Sequence, residues 1–299
     1  MKGTKANTLR RQESRLAVLL TTPAMLFLAC MLFFPLFWGI SMSFTDKSIG
    51  SDPNFIGLAN YLSLLKNKDF YQALRNTLVY TGLAIAGKLI FGVVLALLLN
   101  MKFRGRNLVR ALFLIPWTLP NLVAMLNWRW IYNSAGGALN AILLGLGVIE
   151  KNVAWLSTVS FVLIGVVIAN VWRGTPFFGI TILSKLQTIP SDLYEAASID
   201  GANAFQKFIY VTLPEIKDVI LLTSLISTIW TMNEFDTVWL MTGGGPANRT
   251  LIMSVFSYKT AMQKLQIGNA VAVSVLMMPL LLILIALVTK YSVKNTRDY

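Results

Sequence analysis

The chain has 299 residues, 56% of them hydrophobic and 13% charged, with a net charge of +13, one cysteine and no histidine. Soluble domains hold about a quarter charged residues, whereas the apolar residues here fall in blocks of about twenty or more, the length that crosses a bilayer. The balance excludes a soluble globular protein, an internal disulfide or cysteine metal site at the lone Cys30, and any chemistry that needs histidine as base or ligand.

Residues 1–15 form a basic tail with Lys2, Lys5, Arg10, Arg11 and Arg15. The apolar run at 16–44 exceeds the ~7–15-residue core of a signal peptide and reads as a retained first span. A loop at 45–72 leads to a second span at 73–100, and further spans are expected at 108–131, 157–184, 215–241 and 268–290. A tail at 291–299 follows the last. The predicted fold is all-α with six transmembrane helices. Pro23, Pro35, Pro116, Pro120, Pro176 and Pro279 fall inside spans, where neighbouring helices satisfy the freed backbone groups, so kinks are expected rather than ends. No internal repeat is visible.

Basic residues set the orientation. Fifteen Lys and Arg lie on the termini and on the second-to-third and fourth-to-fifth connections, against eight on the opposite side. The richer side is cytoplasmic, so both termini are expected there. The same bias accounts for the positive net charge without a nucleic-acid partner.

Three segments stand out. GLAIAGKL at 82–89 follows the phosphate-loop pattern G-x-x-x-x-G-K, but Leu89 stands where Ser or Thr must hold magnesium. It also lies within an apolar span with no preceding strand, so no nucleotide is expected there. MTGGGPANRT at 241–250 reads as a flexible turn, since glycine tolerates positive φ and Pro246 fixes the exit. Between Pro190 and Pro214 runs SDLYEAASIDGANAFQKFIYVTL. Ser191 or Asp192 can cap a short helix there, Glu195 suits its first turn, and Gly201 bends it into a second short helix. A helix of small residues with one anchoring acid suits another protein's groove, while an interfacial helix capping the bundle is the plainer alternative.

Glu195-Ala196-Ala197, Asp200-Gly201-Ala202 and Leu213-Pro214 resemble the signature loop of ABC importer permeases. LIPWTLP at 114–120, NVWRGTPF at 170–177 and TGGGPANRT at 242–250 are similar to the carbohydrate-uptake, maltose-type branch. Together these segments cover most of residues 70–290. Val211 stands where Ile is usual, and Lys217-Asp218 follows where a proline is common. The resemblance implies a transmembrane type-1 domain over 73–290 with a cytoplasmic coupling helix pair at 190–214. Glu195, Ala196, Ala197, Asp200 and Gly201 would engage an ATPase subunit. ATP and magnesium would bind on that partner, leaving this chain without a cofactor.

Polar residues inside spans are costly and usually face a cavity or a partner. Ser227, Thr231 and Glu234 are spaced i, i+4, i+7 on one face of the fifth span, and Asn170 with Gly174 and Trp117 with Asn121 are spaced i, i+4. Amides and a carboxylate suit sugar hydroxyls, an aromatic face suits stacking, and glycine leaves room for a ring. Each residue alone could equally make an interhelical hydrogen bond. The resemblance implies that these positions line a sugar path. Glu234 departs from the family's usual amide, either binding hydroxyls itself or pairing with Arg173 or the surroundings of Asp236.

The implied protein is a permease subunit in the bacterial inner membrane, not an enzyme. It would assemble with a second permease, two cytoplasmic ATPase subunits and an extracytoplasmic solute-binding protein that delivers a sugar or sugar derivative. A polyol or glycerophosphodiester is the alternative cargo. A secondary transporter would show inverted repeats and two discontinuous spans, neither of which is evident in the sequence. A membrane-embedded enzyme would need clustered acid–base or metal groups that the scattered carboxylates do not supply.

Overall fold

A computed structural model describes residues 2–296, and among them helices joined by loops make up the fold, with two isolated β-bridges and no strand. In chain order the helices are α1 (Lys2–Ser43), α2 (Ala59–Leu65), α3 (Lys68–Asn100), α4 (Arg106–Thr118), α5 (Asn121–Ile131), α6 (Ala138–Gly145) and α7 (Val162–Leu186). They continue as α8 (Ser191–Ile199), α9 (Ala204–Lys207), α10 (Leu213–Met232), α11 (Asp236–Thr242), α12 (Met253–Met262) and α13 (Ile267–Thr296). A π-helical turn, Phe208–Thr212, joins α9 to α10. Met1 and the end of the C-terminal tail, 297–299, lie outside the described residues, as do the side chains of most of both basic tails.

Two units can be separated, Met1–Leu64 with Thr260–Val275 and Leu65–Lys259 with Leu276–Tyr299. In the first, α1 presents apolar side chains outward from Leu16 to Trp38, a surface fit only for lipid or another apolar helix. Its end is anchored by polar contacts. Asn60 Nδ2 donates to the carbonyls of Ser43 and Thr45 at 2.8 Å each, and the Ser43 and Tyr61 hydroxyls meet at 2.6 Å. The Asn54 backbone and side-chain amides donate to Asp46 and hold its carboxyl below the usual carboxylate range.

In the second unit α3 packs along α7 through small residues. A Cβ at Gly87 would meet Val171 at 2.8 Å, and one at Gly179 would meet Leu95 at 2.6 Å; Gly92 faces Phe178 more closely still. Such alternation lets two backbones approach without a hydrophobic drive from water. Below this seam, Leu99, Phe178, Ile182 and Ile216 form the buried core that brings α10 against the pair.

Among the described residues four helices are long and apolar enough to cross a membrane, α1 from Leu16, α3, α7 and α13 to Ala286, or five if α4 and α5 count as one. The six uninterrupted spans expected from hydropathy are therefore not all present. The third is broken: α4 and α5 meet at a bend of 92°. Pro120 lacks an N–H and restricts Leu119 to extended backbone, so it ends the helix where a kink was expected. Pro23, Pro35, Pro116, Pro176 and Pro279 do lie within continuous helices. The fifth is broken as well, α10 stopping at Met232 and α11 restarting at Asp236. Two discontinuous segments thus exist, contrary to the sequence expectation.

Candidate functional site: a polar cavity between α3, α7 and α10

The two breaks bring polar groups together. Asn121 opens α5 directly after the bend, and Glu234 lies in the gap between α10 and α11. Asn121 Nδ2 donates to Glu234 Oε1 and to Asp236 Oδ2 at 3.2 Å each. Thr237 donates its hydroxyl to Glu234 Oε1 at 2.6 Å and its N–H to the same oxygen at 3.3 Å. Asn170 Nδ2 from α7 reaches Glu234 Oε2 at 3.5 Å. Glu234 is therefore bound by neutral donors from three helices. It forms no ion pair with Arg173, one of the partners considered from the sequence.

Beside this cluster, Lys88 Nζ from α3 donates to Thr231 Oγ1 at 3.0 Å and Ser227 Oγ at 3.4 Å. Thr231 Oγ1 donates in turn to the Ser227 carbonyl at 2.7 Å. Lys88, Asn170, Gly174, Ser227, Thr231 and Glu234 line a cavity of about 190 Å³, together with Trp117, Arg173, Phe177 and Trp230. The rings form a cluster, Trp117 stacking on Phe177 at 5.1 Å between centroids and Trp230 closing against both at 5.8 and 5.2 Å. The Arg173 guanidinium lies 5.8 Å from the Trp117 centroid, within cation–π range.

Of the seven residues singled out from spacing, six line this cavity, and Asn121 joins it through Glu234. Gly174 holds a different place from the one expected. A Cβ there would lie 2.5 Å from Lys88 Cε and 2.8 Å from Cδ, so the glycine makes room for the lysine stem rather than for a sugar ring. Lys88, Arg173, Phe177 and Trp230 were not among the expected lining residues. Lys88 carried a usable signal: a lone cation in an apolar span is by default turned toward a cavity. GLAIAGKL is helical along its whole length, with no loop to cradle phosphate.

At the other end of α7, Pro190 precedes α8 with no side-chain cap, so neither Ser191 nor Asp192 has the capping role expected of them. Gly201 has φ +76°, a left-handed conformation that favours glycine. Asn203 and Gln206 close a reciprocal capping box on α9 at 2.9 and 2.8 Å. Tyr194 and Thr212 share a hydroxyl contact at 3.0 Å, and Lys207 Nζ donates to Ser198 Oγ at 2.6 Å, tying the short helices to each other and to the π-helical turn. Glu195, Ala196, Asp200 and Gly201 are exposed and Ala197 is half-buried. Ile199 is 87% exposed, Phe205 72% and Tyr210 76%.

The TGGGPANRT segment is a built loop rather than a flexible turn. Gly243, Gly244, Ala247 and Asn248 all take positive φ. The Asn248 carbonyl accepts from Gln72 at 3.0 Å and Asn76 at 2.9 Å, and its side-chain amide donates to Asp69 at 3.0 Å, fastening the loop to the start of α3.

Residues 88–298 match the family described as binding-protein-dependent transport system inner membrane component. A probable ABC transporter permease of Sinorhizobium fredii is 38% identical over 270 residues, 89% of this chain and 86% of that one. A trehalose/maltose transport system permease of Thermococcus litoralis is 35% identical over 86% of this chain and 87% of its own. Among solved structures, a bacterial alginate ABC transporter in complex with an alginate pentasaccharide-bound periplasmic protein superposes with a TM-score of 0.81 and 22% identity, covering 97% of each chain. That likeness shows the fold. With a family match over most of its length and relatives above 30% identity across more than four-fifths of it, the chain belongs to the inner-membrane permease components of binding-protein-dependent ABC transport systems.

Proposed function

We propose that this permease imports a sugar or sugar derivative handed over by an extracytoplasmic binding protein, by alternating access driven by two partner ATPase subunits. A second permease, identical or similar, completes the path. The carrying observation is the convergence of hydroxyl, amide, carboxylate, cationic and aromatic side chains from α3, α4, α7 and α10 on one cavity within otherwise apolar helices. Sugars need this mixture of hydrogen-bonding groups and ring faces. The cavity's 190 Å³ falls below the ~300–1,000 Å³ of a complete small-molecule site, in keeping with half of a shared one. The trehalose/maltose and alginate relatives support a carbohydrate cargo.

The α8–α9 segment supplies the contact to the ATPase. Its glycine turn, small alanines, acidic Glu195 and outward Ile199 and Phe205 suit insertion into a cleft on a partner. The engine, with its ATP and magnesium, then resides on the partner. Both termini and α8–α9 face the cytoplasm, and 242–250 faces outward. Arg249 is exposed whereas the Asn248 amide is engaged, so Arg249→Cys is the better site for labelling from outside. The functional reading is tested in proteoliposomes holding the full complex and its binding protein, by uptake of labelled sugars with and without internal ATP. ATP-dependent accumulation of a sugar is expected; uptake driven by a proton or sodium gradient without ATP would overturn it.

A further inference from the structure

The cavity's charges do not match one another. Lys88 is 5% exposed inside an apolar helix, and its ammonium meets two neutral hydroxyls, leaving one of three donors unassigned. Arg173 makes no hydrogen bond through its guanidinium, and its Nε is buried without a partner. Among the described residues neither cation forms an ion pair. The single carboxylate lining the cavity, Glu234, has both oxygens engaged by Asn121, Asn170 and Thr237. Asp236 is exposed, shares the Asn121 amide and does not line the cavity. Two cations therefore face the solute path beside one carboxylate, whose charge its neutral donors do not cancel, leaving one positive charge in excess.

Charges within spans are retained where something completes them; Glu234 acts on Lys88 only across the cavity, and among the described residues no second carboxylate lining it completes the pair of cations. We propose that the solute does: Lys88 and Arg173 form an anion-binding wall, and the transported sugar carries an acidic group such as a carboxylate, sulfonate or phosphate. The guanidinium offers a planar fork for such a group and the ammonium a point charge beside it. The Trp117–Phe177–Trp230 cluster fixes one face of Arg173 and gives the sugar ring an apolar wall. Gly174 belongs to the same device, since only a residue without Cβ lets the Lys88 stem cross α7 there. The inference rests on the cavity being the solute path of a sugar importer.

The test uses the complete transporter with its binding protein in ATP-loaded proteoliposomes. Three labelled probes are offered: maltose, a glucuronate-terminated disaccharide and inorganic phosphate. The acidic disaccharide should accumulate in preference to maltose. Lys88→Met and Arg173→Gln should each lower its uptake about tenfold, the worth of one charge-assisted hydrogen bond, with complex yield retained. Lys88→Arg, which keeps the charge, should hold most of the uptake. Transport of maltose but not of the acidic disaccharide would overturn the anion wall and leave the sugar reading standing. Undiminished acidic uptake in both charge-removing variants would also overturn it. Accumulation of phosphate alone, lost in both, would sustain the wall and overturn the sugar reading.

Discussion

The cavity and the α8–α9 segment are opposite kinds of misfit. In the cavity, polar and charged groups stand where apolar ones would be cheaper: Lys88, Ser227 and Thr231 are all nearly inaccessible. In α8–α9, apolar groups stand where polar ones would be cheaper, with Ile199 and Phe205 almost fully out. The cavity engages its carboxylate internally, between the two broken helices, and leaves over its cations and the buried Oδ1 atoms of Asn121 and Asn170. The α8–α9 segment satisfies its backbone internally, through the capping box and Gly201, and leaves its apolar surface over. In the proposed function each remainder has its counterpart: a solute with hydrogen-bonding groups at one place, a protein surface at the other.

The largest expected effect breaks the α8–α9 side. Gly201→Val puts a β-branched residue at φ +76°, where left-handed backbone costs about 1–2 kcal/mol even before the branch is counted. Uptake should fall to background and the ATPase subunits should be lost from the purified complex. Normal uptake would remove the docking role. Next comes Glu234. Glu234→Leu strands the donors of Asn170 and Thr237, at about 1–3 kcal/mol for each, and leaves Asn121 only its bond to Asp236. More than about tenfold loss of uptake is expected, with Glu234→Gln milder because its carbonyl still accepts. The smallest effect sharpens the cavity side. Gly174→Ala sets a Cβ 2.5 Å from Lys88 Cε, so the lysine must move from Thr231. A loss of a few-fold in uptake, about 1 kcal/mol, should follow with complex yield unchanged; wild-type transport would show that Lys88 does not need its slot.

Much of this was legible in the sequence, for reasons tied to particular residues. The apolar runs marked α3, α7 and α13 because length in lipid leaves little choice of structure. Spacing on a helical face found Asn170, Ser227 and Thr231, since i, i+4 neighbours share a side. The helix breaks were not legible. Pro120 was read as a kink because prolines within a span can be tolerated, and the reverse at Pro116 and Pro176, where the helix does continue, depends on tertiary packing. The stop after Met232 has no proline or glycine to announce it; Asn233 through Phe235 carry it, and Glu234 turns from an expected helical position into a junction residue. Lys88 was hidden by its own motif: excluding a nucleotide from GLAIAGKL left its lysine without a role. The partners of Asn248, some 170–180 positions away in α3, are a purely tertiary fact.

The central claim is that one region handles the solute and the other the engine. The most direct test measures basal ATPase activity and binding-protein-dependent uptake on the same proteoliposomes for Glu234→Leu and Gly201→Val. The account predicts that Glu234→Leu keeps ATP hydrolysis while losing uptake, and that Gly201→Val loses both. Uptake preserved in Glu234→Leu, or hydrolysis and uptake both preserved in Gly201→Val, would contradict it.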